Sequence, residues 1–574
     1  MIEKLYWIGK IYFVSFFSFI CLVVGTNLLY SQIISTSLIA IFFVLSFFIG
    51  WIFIDRKWIN LLLTFVILLA LSIIWFILFY FIWDISVDGN TYHLEIIIKL
   101  FKWASLFFDS FKSTWLSYYP KTIEILFSWF SSFFKNPDMW RILKIFLIWI
   151  SLINSLYLIK KIRNWKFKRR YFLLATIIVL NPVVIYQFFT LYIDDILYLL
   201  LINFFIYFFI WETKMALLVF AIMISSKISY LLFGGLWLVA IIWINGIYYR
   251  KSYIGIIKHT YMSISTNKII RISIITLIGI VWLHQYIINA YRYHNSLYGF
   301  AWAWKQDIIS MFQPPVMKDR DVISKFAYTY FSYSRNYCIT DDCQRFINPT
   351  TKAWIREFFW SYQTLGKYDP NLNGFWNIYS ILLILSIAFL IYHIANYKKR
   401  KNKSQEIIST IIVAYILLDT SLLPFPRARY FPLLYLLPII FILSSRNKIK
   451  IGILILYLIN GLIIVWIITT IYWRNGASKI RQYEFMNKVS INKIYYTKFL
   501  KESYFYEKFF WYYQNRLKNI EKIEIDRNEL LKKCWISSYL QVNEAYDRTL
   551  KCPKWWYVLR GDYGSHTDEF FYIN

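Results

Sequence analysis

The chain has 574 residues, of which 59% are hydrophobic, 22% are aromatic and only 17% are charged. A soluble domain averages roughly 45–50% apolar and about 25% charged residues, so this composition excludes an ordinary water-soluble globule. The formal net charge of +31 is spread over short clusters between apolar runs, a pattern typical of cytoplasmic loops rather than of a nucleic-acid-binding face. The 17 glycines include neither a Walker A pattern nor GxGxxG, which argues against cytosolic nucleotide chemistry.

Apolar runs of about 18–25 residues recur along the chain, and each is long enough to cross a hydrocarbon core of about 30 Å as a helix. We therefore predict an all-α polytopic membrane protein with about thirteen transmembrane helices. The module 1–473 would hold these helices, and 474–574 would form a small extracytoplasmic C-terminal domain. The predicted spans are roughly 11–31, 33–54, 58–83, 140–159, 171–189, 196–211, 215–229, 230–249, 270–289, 375–395, 407–423, 430–445 and 451–473.

The basic clusters predict the orientation of these spans. Lysine and arginine are concentrated in alternate loops, for example at 160–170 and 398–403, which indicates a cytoplasmic N-terminus and an extracytoplasmic C-terminus. The opposite loops, 84–139 and 290–374, are long, mixed in charge and rich in aromatic residues. The high content of Ile, Phe, Tyr, Lys and Asn is typical of an AT-rich genome, and we expect the protein to lie in a bacterial inner membrane.

Four of the five cysteines fall on the predicted outer side. An even number of thiols in an oxidising compartment suggests disulfides, most simply Cys338–Cys343 and Cys534–Cys552. Four unrelated free thiols are the alternative.

An acidic segment follows the third predicted span and includes Asp84 and Asp88. Charged side chains at the lip of a membrane are costly, which makes them the first places to look for chemistry. Asp88 could act as a general base for a hydroxyl acceptor or as a metal ligand. The alternative is a loop aspartate that caps the next helix.

The stretch 94–135 has apolar and aromatic residues at helical spacing. It predicts amphipathic helices that lie on the outer membrane surface with their aromatic side down. The alternative is a segment packed on the protein's own core.

Three further features lie at the predicted outer face. Asp194 and Asp195 form a paired acid in a very short loop, where two carboxylates are hard to keep charged without a cation or a proton donor. Lys227 lies in an otherwise apolar span and needs an anion, either a carboxylate such as Asp194 or a lipid phosphate, unless it snorkels to the interface. Arg427 and Arg429 precede a proline-containing span, and arginine is suited to bidentate phosphate binding.

The order and shared sidedness of these motifs resemble polytopic glycosyltransferases of the type C fold (GT-C), the superfamily of mannosyl- and aminoarabinosyltransferases. The resemblance covers roughly 58–445. The matching motifs are Asp88-Gly-Asn-Thr-Tyr92-His93, Tyr119-Pro120-Lys121, Asn181-Pro182 with Asp194-Asp195, Ser226-Lys227-Ile228-Ser229, and the Arg-X-Arg-Tyr-X-X-Pro run from Arg427 to Pro432.

The resemblance implies inverting transfer of a sugar from a polyprenyl-phosphate donor to a hydroxyl of a lipid, glycan or protein acceptor, as in the assembly of cell-envelope glycans. Asp88 would be the general base, with Asp194 and Asp195 as further catalytic residues. Three basic residues would stabilise the leaving phosphate: Lys227, Arg427 and Arg429. The substrate-binding residues would be Asp84, Tyr92, His93, Tyr119, Lys121 and Tyr430. Some members of the family require a divalent cation and others do not, so Mg²⁺ or Mn²⁺ is left open, and no metal ligand is assigned.

Two other readings use the same lipid-linked donors. A lipid-linked glycan polymerase or ligase shares the donor but not this motif order. A flippase or transporter would also have many spans and buried charges, but transporters usually show internal repeats, and none is evident in the chain.

Overall fold

The fold is known from a computed structural model, which describes residues 2–29, 36–54, 57–79, 93–101, 119–133, 137–163, 169–210, 212–227 and 268–295. It also describes a short helical piece at 384–388, isolated positions between 321 and 462, and six strands between 493 and 573. The predicted sites and spans that fall elsewhere lie outside the described residues.

The described part of the chain is mostly helical. The helices are α1 (Ile2–Leu29), α2 (Thr36–Ile54), α3 (Trp58–Phe79), α4 (Leu94–Phe101), α5 (Thr122–Phe133), α6 (Arg141–Arg163), α7 (Arg169–Val179), α8 (Pro182–Gln187), α9 (Asp194–Phe209), α10 (Thr213–Ile224) and α11 (Lys268–Tyr293), and a 3₁₀ turn at Pro137–Trp140 leads into α6.

The predicted span 171–189 is split into α7 and α8 at Asn181 and Pro182. Proline has no N–H to continue the helix, but it is well tolerated at a helix start. Asn181 caps α8, because its side-chain oxygen accepts a 2.8 Å hydrogen bond from the Val184 N–H. The break turns the chain into the short corner that carries Asp194 and Asp195.

Side-chain contacts establish the directions of the central helices. Helix α1 runs antiparallel to α6, because Glu3 pairs with Lys160 at 2.7 Å near one end, whereas the Tyr12 ring contacts Phe146 towards the other. Helix α9 runs parallel to α6: Asn203 donates to the Ser151 hydroxyl at 2.7 Å, and Lys161 Nζ donates to the Ile210 carbonyl oxygen at 3.1 Å.

The bundle therefore has two distinct ends. The Asp194 end contains the starts of α6 and α9 and the end of α10, and the Glu3 end contains the start of α1, the end of α6 and the start of α10. The basic residues Lys160 and Lys161 and the acidic corner thus lie at opposite ends of the bundle. Which end faces the cytoplasm stays a prediction.

Two described helical segments are long and apolar enough to cross a membrane, Ile2–Thr26 and Arg141–Lys161. Shorter apolar helical segments occur at Leu38–Ile54, Trp58–Ile74 and Lys214–Ile224. Helices α2 and α3 also expose many large apolar side chains, including Phe53, Trp58, Leu62 and Leu69. Exposed apolar area on this scale is unusual for a protein surface in water. The count of about thirteen spans stays a prediction.

The prediction that 94–135 lies on the membrane surface is wrong for the described parts of that stretch. The side chains of α5 from Thr122 to Ser131 are all buried, and most of α4 is buried as well. The Trp129 ring packs against Phe16, Phe43 and Phe47 of α1 and α2, with ring centroids 4.8, 4.6 and 5.2 Å away. The aromatic residues of α5 therefore find their apolar partners within the protein, which is the alternative reading of this stretch.

The C-terminal region contains strands, which the predicted all-α fold class does not include. They are β1 (Lys493–Thr497), β2 (Glu521–Ile525), β3 (Trp535–Ile536), β4 (Leu550–Lys551), β5 (Tyr557–Arg560) and β6 (Phe570–Ile573). One sheet has the order β2-β1-β6-β5, with β1 and β2 parallel and the other neighbours antiparallel. Strands β3 and β4 form a separate antiparallel pair.

Candidate functional site

Buried charges meet at the Asp194 end of the bundle, in a group that we call the lysine–aspartate cluster. It consists of Lys144 from α6, Gln187 from the end of α8, Asp194 and Asp195 from the first turn of α9, and Lys227 just beyond α10. Carboxylates are favoured in the first turn of a helix, because the helix dipole places partial positive charge there.

The first pair in this cluster is Lys144 with Asp195. Lys144 Nζ lies 2.7 Å from Asp195 Oδ2, and it donates to the carbonyl oxygens of Gln187 and Tyr192 at 2.8 Å each. Burial raises the pKa of the Asp195 carboxyl to about 7, and the neighbouring ammonium offsets only part of that rise. The other carboxylate oxygen of Asp195 is buried and has no hydrogen-bond partner among the described residues.

The second pair is Lys227 with Asp194. Lys227 Nζ lies 2.5 Å from Asp194 Oδ1, and the Gln187 amide donates to Asp194 Oδ2 at 3.2 Å. The same Gln187 side chain accepts the Asp195 N–H at 3.0 Å. Of the two anions proposed for Lys227, the structure therefore has the carboxylate of Asp194. One glutamine connects both acids, which makes the corner a single hydrogen-bonded unit.

A second buried group, the His93–Glu124 cluster, joins α4, α5 and α11. His93 Nδ1 lies 2.6 Å from Glu124 Oε1, and both side chains are buried. Lys121 Nζ donates to Gln285 Oε1 at 2.9 Å and to the Tyr119 carbonyl oxygen at 3.0 Å. The cluster therefore brings three predicted substrate-binding residues, His93, Tyr119 and Lys121, to the same part of the fold.

Burial acts on the charged groups of this second cluster. Burial lowers the pKa of Lys121 to about 7, and the Glu124 carboxylate opposes that change. Glu124 Oε2 is buried and makes no hydrogen bond to any residue that the structure describes. Glu124 and His93 thus form a buried polar contact in the same part of the fold as Lys121.

The other predicted site residues lie outside the described part of the chain. They are Asp84, Asp88, Tyr92, Arg427, Arg429 and Tyr430. The four cysteines of the predicted disulfides, Cys338, Cys343, Cys534 and Cys552, also lie outside it, whereas Cys21 is a free thiol in α1.

Four residues of the clusters were not predicted from the sequence: Lys144, Glu124, Gln187 and Gln285. Lys144 lies within the predicted span 140–159, and a lysine in a predicted span is a signal that could have identified it. Glu124 follows Lys121 at a spacing of three residues, which places the two on one helix face. Gln187 carries no such signal, because an uncharged amide near a helix end has many ordinary roles.

Within the described ranges, no group of three or more His, Cys, Asp or Glu side chains is placed to hold a metal ion. The sequence also leaves open a divalent-cation site of hard oxygen ligands from Asp84, Asp88 and Asp194, and two of these three residues lie outside the described ranges.

Comparison of the chain with protein-family models, with curated proteins and with solved structures finds no match. Buried carboxylates paired with lysines at the mouth of an apolar bundle can accept protons and can bind anionic groups.

Proposed function

We propose that the protein is an integral membrane glycosyltransferase of the GT-C type, which moves a sugar from a polyprenyl-phosphate donor to a hydroxyl acceptor with inversion. The observation that carries the proposal is the convergence of two motifs that are far apart in the sequence. The acidic corner and the lysine after α10 meet at one end of an apolar bundle, where Lys227 and Asp194 are in contact.

The proposed reaction needs one proton acceptor and several positive charges. The acceptor hydroxyl gives its proton to the carboxylate of Asp88, its oxygen bonds to the anomeric carbon, and the bond from that carbon to the phosphate oxygen breaks. The leaving polyprenyl phosphate takes the electron pair, so stabilisation of its negative charge is the main task of the site. In this proposal, Lys227, Arg427 and Arg429 supply the stabilising charge.

The contacts of the two acids at the corner support different roles for them in this proposal. Asp195 contacts the ammonium of Lys144 and is almost entirely buried, so its role in the proposal is to hold the corner in place. Asp194 contacts Lys227, and it would position that lysine for the donor phosphate. The general base of the proposal therefore remains Asp88.

Several features of the cell-envelope setting belong to the same proposal. The protein would lie in a bacterial inner membrane, with its N-terminus in the cytoplasm and its active site on the extracytoplasmic face. The two membrane-length helical segments and the apolar surface of α2 and α3 support a membrane location.

The test is a turnover assay on detergent-purified protein supplied with a panel of polyprenyl-phosphate sugars and hydroxyl acceptors. The release of free polyprenyl phosphate would be followed for the wild type, for Asp88→Asn and for the control Glu3→Gln. Glu3 lies at the opposite end of the bundle, in an exposed pair with Lys160. We expect turnover to fall by at least about 100-fold in Asp88→Asn, with donor binding retained.

Equal turnover in Asp88→Asn and Glu3→Gln would show that Asp88 is not the general base, and Glu124 and His93 would be tested next. If no polyprenyl phosphate is released with any donor, the proposed transferase function is contradicted. A lipid-scrambling assay would then test the flippase or transporter reading.

A further inference from the structure

The two lysine–aspartate pairs at the corner differ in how closed they are. The side chains of Lys144 and Asp195 are 0% and 1% exposed, whereas those of Lys227 and Asp194 are 15% and 5% exposed. The two acids are adjacent in the sequence, and both lie in the first turn of α9. The pairs therefore form an inner pair and an outer pair at the same corner.

The inner pair is closed to the surroundings. Lys144 Nζ donates to the carbonyl oxygens of Gln187 and Tyr192 at 2.8 Å each, and it lies 2.7 Å from the Asp195 carboxylate. A ligand could reach Lys144 only by displacing that carboxylate or the backbone contacts that define the corner. The inner pair is accordingly a structural anchor.

The outer pair is more open. Lys227 lies just beyond the end of α10, and its side chain is 15% exposed. Asp194 is held by a second partner, because Gln187 donates to Oδ2 while Lys227 contacts Oδ1. If the ammonium moved to another anion, the carboxylate would keep its place.

We propose that the phosphate group of a ligand competes with Asp194 for the Lys227 ammonium, so that ligand binding exchanges one anion for another. This inference rests on the proposed function and names a regulatory step in it. The phosphodiester of the intact donor carries the same single charge as a carboxylate, whereas the phosphate monoester that leaves carries more charge and more acceptor oxygens, so the exchange is strongest with the leaving phosphate. The Asp194 oxygen that Lys227 leaves could then accept a hydrogen bond from a hydroxyl acceptor, which would couple acceptor binding to occupation of the phosphate site.

Binding measurements in dodecyl maltoside, a detergent without phosphate, test this exchange without any need for turnover. The probes are farnesyl phosphate and inorganic phosphate, titrated into the full-length protein by calorimetry. The variants are Lys227→Met, which removes the ammonium, and Asp194→Asn, which removes the competing charge. Glu3→Gln is the control, because it breaks an exposed ion pair at the far end of the bundle.

Competition predicts opposite effects of the two substitutions. Asp194→Asn should bind farnesyl phosphate about fivefold to tenfold more tightly than the wild type, and Lys227→Met should bind it at least about tenfold more weakly. Glu3→Gln should not differ from the wild type. If Asp194→Asn does not fold, Asp194→Ser removes the same carboxylate and carries the same expectation.

Affinity that is unchanged or weaker in the Asp194 variants would overturn the inference, as would wild-type affinity in Lys227→Met or no binding of either probe to any protein. Exchange with farnesyl phosphate alone identifies a lipid-linked phosphate, and equal exchange with inorganic phosphate identifies a free one. If the variants show the expected binding pattern but the protein transfers no sugar, the anion exchange is supported and the proposed transferase function is refuted. If the protein transfers sugar but the variants show no competition at Lys227, the transferase function is supported and the anion exchange is refuted.

Discussion

The substitution Lys144→Met tests whether the inner pair anchors the acidic corner. Methionine resembles lysine in length, so the packing of the stem is largely retained while the ammonium is lost. The Asp195 carboxylate, which is 1% exposed, would then be buried without its counter-charge, and two backbone carbonyl oxygens would lose a donor. Breaking a buried ion pair by removing one partner costs about 3–5 kcal/mol, and we expect a loss of unfolding free energy in this range.

The pH dependence of this loss follows from the raised pKa of Asp195, about 7 in the folded protein against 3.8 for an ordinary aspartate. Between pH 3.8 and about pH 7, Asp195 keeps its proton in the folded protein but has released it in the unfolded chain. The free energy of unfolding therefore falls as the pH rises from 3.8 to about 7. Without Lys144 the pKa of Asp195 rises further, and the fall continues above pH 7. The difference between wild type and variant should therefore be smallest near about pH 5 and grow towards about pH 8.

The measurement is the free energy of unfolding in mixed micelles, followed by tryptophan fluorescence at several pH values. Lys160→Met is the matched control, because Lys160 pairs with Glu3 on an exposed surface, where an ion pair contributes at most about 1 kcal/mol. The double variant Lys144→Met/Asp195→Asn should recover part of the loss, since no buried charge remains. Equal losses in Lys144→Met and Lys160→Met, or a loss that does not change with pH, would refute the reasoning.

Two further predictions concern packing and the second cluster. A methyl group added in Gly50→Ala would lie 2.6 Å from the Ile11 carbonyl oxygen, so we expect the free energy of unfolding to fall by about 1–3 kcal/mol in a thermal unfolding assay. The control is Gly25→Ala, whose methyl group meets nothing within 4 Å. Equal effects of the two substitutions would contradict the close approach of α1 and α2. Glu124→Gln removes the charge that faces His93 Nδ1 at 2.6 Å. We expect this substitution to destabilise the protein by about 1–3 kcal/mol in the same assay. Unchanged stability would show that the contact contributes little.

Helix positions could be predicted from the sequence, because long apolar runs are a local property of the chain. The spans predicted at 58–83 and 270–289 correspond to helices at Trp58–Phe79 and Lys268–Tyr293, with differences only at the ends. The requirement that Lys227 have an anionic partner was also predictable, because an unpaired ammonium is costly in an apolar setting. The burial of α5 was not predictable, because its aromatic spacing suits a lipid surface and a protein core equally well.

The partners of the buried charges depend on the tertiary structure, since they come from distant parts of the chain. Lys227 and Asp194 are 33 residues apart in the sequence, and Lys121 and Gln285 are 164 residues apart. Composition and periodicity show that such groups need partners, but they carry no information on which helices are neighbours. Only the packing of α6, α8, α9 and α10 around one corner makes Lys144 an anchor and leaves Lys227 the more exposed of the two lysines.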